Sequence, residues 1–324
     1  MRPRSTPDLA GRPRAIMIIG ASGYLGRHVR DAAAAAGLDV STAGRSPLPG
    51  SCEHSLIDLA TDSPAAVAAT LSQQAPDVVV NCAGATGGDV GTLAAANVTG
   101  TATLVSALRR TGRSIRLVHL GSAAEYGPSE PGTAVAESDP ARPAGAYGAT
   151  KLAATRLVEL GRVTGLDAVV LRVFNPVGPG APDTILPGRL VGELRRAAAD
   201  GSDVRLGPLG AVRDFVDARD VADAAVAAAL AAALPAAVIN VGSGTGVPVR
   251  TLVRELVAIS GYDGSVTEGA PAAGDGTAGA GAGGTSWQQA DIGLARRDLD
   301  WEPRRELTAA LADLWEECRA PAAS

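Results

Sequence analysis

Tyr147 and Lys151 stand four residues apart in the stretch GAYGATKLAATRLV (145–158), and Lys151 is the single lysine beside twenty-eight arginines. The surrounding alanines read as helix, where residues four apart share one face. A free phenol ionises at about pH 10, too high for efficient proton exchange near neutrality. An ammonium group beside it favours the phenolate and lowers that value. The pair is therefore a candidate acid–base group, the alternative being a solvated surface contact on a helix.

A second stretch, MIIGASGYLGRHV (17–29), places Gly20, Gly23 and Gly26 as G-x-x-G-x-x-G, with Ser22, Tyr24 and Leu25 inside the turn. Glycines between a strand and a helix allow a tight turn and let backbone N–H groups approach a pyrophosphate at the positive end of the helix. That context makes the motif a dinucleotide site and not an ordinary strand-to-helix turn. The next apolar run ends STAGRSP, with Arg45 where an acid commonly meets the ribose 2′-hydroxyl. Arginine cannot accept that hydroxyl's proton but can pair with a 2′-phosphate, so NADP is favoured and NAD is the alternative.

The elements that must position these groups alternate. Strand-like runs at 15–20, 39–44, 77–84, 115–122 and 167–174 are separated by helical patterns at about 24–36, 63–74, 90–110 and 146–163. Strands alternating with helices predict an α/β fold, a doubly wound parallel sheet covered on both faces. After Phe174 a Pro/Gly-rich loop leads to helices at about 186–199, after Asp217, at 249–260 and at about 305–319, with short strands between. These later elements predict a small C-terminal lobe interleaved with the sheet. The expected division is a disordered leader over 1–13, a dinucleotide-binding unit over 14–175, and a mainly substrate-binding lobe over 176–324. The Gly/Ala-rich segment 268–286 reads as mobile.

The chain has 324 residues, 46% of them hydrophobic, enough for a large core built mostly of Ala, Val, Leu and Ile. Its net charge of −5 without basic clusters argues against a nucleic-acid-binding face. Cys52, Cys82 and Cys318 show no metal-ligand spacing, and no metal is expected. With no apolar stretch approaching a membrane span or a signal-peptide core, a reduced cytoplasmic protein without membrane contact is the expectation.

The motif set continues with DL (58–59), NCAG (81–84), NVTGT (97–101), GSAAEYG (121–127), RVFNPVGPG (172–180), AVRDFVDARDV (211–221) and NVGSG (240–244). With the two stretches above, the chain resembles the extended short-chain dehydrogenase/reductase family, also described as NAD-dependent epimerases and dehydratases, over about residues 15–315. Within it the chain looks most like nucleotide-sugar 4-ketoreductases. The resemblance implies an NAD(P)-dependent oxidoreductase or epimerase with Ser122, Tyr147 and Lys151 as catalytic residues. It adds Asp58, Leu59, Ala83, Gly84 and Asn97 to the cofactor contacts, and has Tyr147 and Lys151 touch the cofactor as well. Lysine suits that place because a compact ammonium can reach both a ribose and a phenol where a forked guanidinium fits poorly.

By the same resemblance Ser122 holds the substrate carbonyl, Asn175 lies beside the sugar-phosphate and Arg213 contacts a nucleotide diphosphate. Dehydratases of the family carry two acids directly after the serine or threonine. Here those positions are Ala123 and Ala124, which cannot move a proton, so water elimination by that route is disfavoured. Glu125, offset by one, is a candidate for a substrate hydroxyl or for structural pairing. A second diphosphate arginine expected before Asp291 is missing. The leading reading is an NADP-dependent reductase of a 4-keto nucleotide sugar acting as a homodimer. An epimerase with retained cofactor and a non-catalytic NADP-binding relative are its rivals.

Overall fold

The computed structural model describes residues 14–48, 53–269 and 286–317. The expected leader, Cys52, Cys318 and most of the Gly/Ala-rich segment lie outside the described residues. The first half runs β1 (Ala15–Ile19), α1 (Tyr24–Ala35), β2 (Asp39–Gly44), β3 (His54–Leu56), α2 (Pro64–Gln74), β4 (Val78–Asn81), α3 (Val90–Leu93), α4 (Gly100–Arg110), β5 (Arg116–Ser122), α5 (Ala146–Val163) and β6 (Ala168–Val173). Then come β7 (Asn175–Val177), α6 (Leu186–Asp200), β8 (Val204–Leu206), β9 (Val212–Asp217), α7 (Ala218–Leu230), β10 (Val238–Val241), β11 (Gly246–Pro248), α8 (Val249–Ser260), β12 (Val266–Glu268), β13 (Trp287–Gln288), α9 (Gly293–Leu299) and α10 (Leu307–Glu317).

Seven parallel strands form the central sheet in the order β3-β2-β1-β4-β5-β6-β10. Successive side chains on a strand face opposite sides, and β1 shows it. Ile16 and Ile18 join the cluster under α1 and α7, whereas Met17 and Ile19 join the cluster under α2, α4 and α5. Burial on both faces is why these strands read as near-continuous apolar runs. Chain direction across the sheet reverses between β1 and β4, which opens a crevice at their C-terminal ends.

The later elements divide between that sheet and a smaller body. β10 and α7 complete the sheet and its cover, while α6, α8 and α10 enclose a separate core with Leu190, Leu194, Leu252, Leu256 and Leu311 fully buried. Strands β7, β9, β11 and β13 form a small sheet, and β8 pairs with β12. β3 and most of these short strands escaped the sequence pattern because two or three residues carry no readable periodicity.

Asp214 on β9 ties the small sheet together. It is fully buried, and its carboxylate accepts from the Ser243 N–H (2.6 Å) and hydroxyl (2.7 Å), the Gly244 N–H (2.9 Å) and the Ala290 N–H (3.0 Å). Asp214→Ala strands buried donors, each costing about 1–3 kcal/mol. We expect a loss of at least about 3 kcal/mol in urea unfolding. A loss below about 1 kcal/mol would show that these donors find other partners.

Candidate active site

The crevice is lined first by the β1–α1 turn. Gly20 has φ +83°, and a Cβ there would come within 2.8 Å of the Ala83 backbone N, while a Cβ on Gly26 would meet the Gly20 carbonyl oxygen at 2.0 Å. The turn therefore exists only with glycine at both places. Gly23 caps α1 without a side-chain hydrogen bond, and the first turn carries no acid. By contrast Ser63, Asp89 and Asp217 cap α2, α3 and α7 with their side chains. The first N–H groups of α1 are left for another acceptor, and Ser22 and Gly23 are exposed while Tyr24 and Leu25 are half-buried. A pyrophosphate fits that cradle.

Along the same rim Arg45 is exposed just past β2. Asp58 accepts from the Ala60 N–H (3.0 Å) and shapes the turn that buries Leu59. Ala83, half-buried, and Gly84, exposed, follow β4, and a Cβ on Gly84 would come within 2.9 Å of Asn97 Oδ1.

The expected single helix over 90–110 is broken by a π-helical stretch, Ala94–Thr99, that carries Asn97. Such bulges often sit at functional sites. Asn97 is 3% exposed and its amide is engaged on each side. Oδ1 accepts from the Ala85 N–H (2.9 Å), and Nδ2 donates to the Ala85 carbonyl (3.0 Å) and to Thr150 Oγ1 (3.0 Å). Asn97 is thus buried and holds the 83–85 loop, part of the expected cofactor rim, against α5.

α5 starts at Ala146, so Tyr147 lies in its first turn and Lys151 one turn further. Ser122 ends β5, within hydrogen-bonding reach of the Tyr147 hydroxyl. Burial pushes the Tyr147 phenol up, the Ser122 hydroxyl pulls it down and the Glu125 charge pushes it up. Lys151 is buried and donates to the Leu120 carbonyl at 2.5 Å. Burial lowers its pKa, and Glu125 and Cys82 act in the opposite direction. Close by, the Cys82 thiol is pushed up to about 12 by burial and is inert as a nucleophile. His119, also buried, faces Asn81 Nδ2 through Nδ1 at 3.1 Å, and burial and the Lys151 charge keep it neutral. The three expected catalytic residues thus converge at the end of β5.

Of the two expectations for Glu125, a substrate hydroxyl or structural pairing, its complete burial leaves the pairing. Oε1 accepts from the Ser122 N–H (2.8 Å), and Oε2 accepts from Thr155 Oγ1 (2.8 Å) and Arg172 Nε (2.8 Å). Arg172 and Thr155 went unassigned in the sequence, although Tyr147, Lys151 and Thr155 sit at i, i+4 and i+8 on one helix face, a signal that could have marked Thr155.

At the substrate end, Asn175 on β7 is half-buried, with Nδ2 donating to the Asp214 carbonyl (2.9 Å). Arg213 on β9 donates to neutral oxygens, the Val212 carbonyl (2.8 Å), the Ser286 carbonyl (2.9 Å) and Ser286 Oγ (2.7 Å). Burial lowers its pKa. A partly buried guanidinium held by neutral oxygens suits an incoming anion. Gln288, which sequence reasoning missed, donates from Nε2 to the Ala123 carbonyl (2.9 Å) and joins β13 to the Ser122 turn.

Residues 16–242 match the NAD dependent epimerase/dehydratase family, and the chain belongs to it. It is an enzyme of the extended short-chain dehydrogenase/reductase type. Among its relatives is dTDP-6-deoxy-L-talose 4-dehydrogenase (NAD(P)(+)) from Kitasatospora kifunensis, 40% identical and covering 94% of this chain and 95% of the relative. GDP-6-deoxy-D-mannose reductase from Pseudomonas aeruginosa is 28% identical over 76% of this chain and 80% of its own length. The solved structure of MoeE5 with UDP-glucose and NAD covers 94% of this chain and 98% of that chain at 28% identity and a TM-score of 0.80. Among the described residues no helix is long and apolar enough to cross a membrane.

Proposed function

We propose that this enzyme interconverts the 4-keto and 4-hydroxyl forms of a dTDP-linked 6-deoxyhexose, with reduction by NADPH as the favoured direction. The observation that carries the reading is the convergence of Ser122, Tyr147 and Lys151 beside the glycine turn, with alanines where a dehydratase keeps its acids. The 40% identity to a dTDP-6-deoxysugar 4-dehydrogenase along nearly the whole chain supports the nucleotide and the sugar class. The β1–α1 turn would hold the pyrophosphate and Arg45 a 2′-phosphate. Bound NADPH supplies hydride to the keto carbon. Ser122 donates to the carbonyl oxygen and Tyr147 gives that oxygen its phenolic proton. Lys151 supplies the compact charge between phenol and ribose. Arg213 and Asn175 fix the diphosphate and sugar end. In this reading 14–175 binds mainly the dinucleotide and 176–324 mainly the substrate, and the enzyme works in the cytoplasm.

Tyr147→Phe removes the transferable proton and keeps the ring, so kcat should fall roughly 10²- to 10⁴-fold with little change in NADPH affinity. Lys151→Arg keeps charge but not shape, and should lose both rate and cofactor binding. Both variants are assayed with a dTDP-4-keto-6-deoxyhexose by NADPH consumption. Full activity in Lys151→Arg would remove Lys151 from the site. With the 4-hydroxyl sugar as substrate, a product inverted at C4 without net cofactor use would instead assign an epimerase.

Arg45→Ala should weaken NADPH by about 1–3 kcal/mol, the size of a charge-assisted pair, and leave NADH nearly unchanged. Fluorescence titration of both dinucleotides checks it; equal losses would take Arg45 away from the 2′-phosphate, and no loss for either would place it outside the site.

We also propose a homodimer through α4 and α5. Leu160 and Val163 on α5 remain 61% and 83% exposed, an apolar end that a second copy would cover. Light scattering should give the dimer mass at micromolar concentration, and a monomer would exclude this interface.

A further inference from the structure

One buried carboxylate lies directly behind the reacting groups without touching the crevice. Glu125 ends the short 3₁₀ turn that Ser122 opens, and the two close a reciprocal cap: Ser122 Oγ accepts from the Ala124 N–H (3.2 Å) while Glu125 accepts from the Ser122 N–H (2.8 Å). Its other oxygen is shared by Thr155 on α5 and Arg172 on β6, each at 2.8 Å. The Arg172 side chain is 3% exposed and its guanidinium lies 4.5 Å from the centre of the Tyr126 ring. The Tyr126 hydroxyl donates to Asn240 Oδ1 at 2.8 Å, so the pair is anchored on its far side as well. Room for the carboxylate comes from Gly121, where a Cβ would stand 2.7 Å from Glu125 Oε1.

A turn held only by backbone would let the Ser122 side chain choose among rotamers. Here the carboxylate fixes the N–H of Ser122 and, through Thr155, the helix that carries Tyr147. We propose that Glu125 is a positioning residue for the reaction: locked by Arg172, it sets the Ser122 hydroxyl against Tyr147 and presents a fixed negative charge to Tyr147 and Lys151. The inference rests on Tyr147 and Lys151 being the acid–base pair.

The charged and titratable groups facing Glu125 are Arg172 from β6, Tyr126 from its own turn, and Tyr147 and Lys151 from α5; His119, beside Lys151, stays neutral. A negative charge near a phenol disfavours the phenolate, and near an ammonium it favours the protonated form. Both effects keep the site in the protonated state that a reduction needs at its start. Loss of the charge therefore moves both ionisations to lower pH, and the high-pH limb of kcat for reduction moves down with them.

The experiment is an ultraviolet titration of phenolate absorbance, with Tyr147 isolated as the difference between each protein and its Tyr147→Phe counterpart. Glu125→Gln keeps shape and removes charge, and should lower the Tyr147 midpoint by about one pH unit. Since Arg172 is then left without its partner, Glu125→Gln/Arg172→Met serves as a second background. It removes both buried charges together, which folded proteins tolerate far better than the loss of one. Glu125 is the charge that acts on the phenol, so the direction is the same. An unmoved or raised midpoint in folded protein overturns the proposal, as does a fall in kcat whose pH profile stays in place. The titration needs no substrate. Failure of the reductase reading would appear separately, as a wild-type enzyme that consumes no NADPH with a dTDP-4-keto sugar.

Discussion

The meeting of β5, α5 and β6 at the Glu125 carboxylate is the constraint on which the site depends. Three parts of the chain, separated by 30 residues between Glu125 and Thr155 and 47 between Glu125 and Arg172, supply one acceptor and its donors. A buried ion pair contributes little net stability once desolvation is counted, so its value here lies in geometry. Losing either partner would leave a charge uncompensated in the core. The arrangement is therefore all-or-none, and it fixes the strand end carrying Ser122 relative to the helix carrying Tyr147 and Lys151.

A second constraint joins the two bodies of the molecule. Gln288 donates to the carbonyl of Ala123, next to Ser122, while its register partner on β9 is Arg213. Residues 287–291 also bond the loop that follows the Ser122 turn, through Ser129 and Val135 to Trp287, Gln289 and Asp291. Asn175 and Asp214 tie β7 and β9 to the same strap. On the other side α1 reaches across to the loop after β7, where Tyr24 donates to the Gly178 carbonyl (3.4 Å) and His28 lies 2.9 Å from that of Pro179. The group that would hold a diphosphate and the group that would move a proton thus stand at a separation set by a network of backbone and side-chain bonds.

Glycine spacing, the apolar strand runs and the lone lysine made the sheet, the dinucleotide turn and the Tyr147–Lys151 pair legible before any coordinates. Each is a local signal: a tight turn needs glycine within a few residues, a doubly buried strand needs an unbroken apolar run, and a helix face repeats every three or four residues. The helix expected after Asp217 begins there as α7, with Asp217 as its N-cap accepting from the Arg219 N–H. Local reading left the roles of Asn97 and Glu125 open for one shared reason. A polar residue beside a site motif looks alike in sequence whether it faces a ligand or the protein interior.

Burial and partnership decide that difference, and both belong to the tertiary structure. Asn97 turns inward because a π-helical stretch rotates it toward Ala85 and Thr150, and Glu125 turns inward because Arg172 and Thr155 arrive from distant elements. The sequence by itself determined the α/β alternation, the pyrophosphate turn and the acid–base helix, since these arise from contacts between near neighbours in the chain. Only the folded structure decided which polar side chains stand behind the site, because a buried charge is tolerable only where its opposite is brought to it through space.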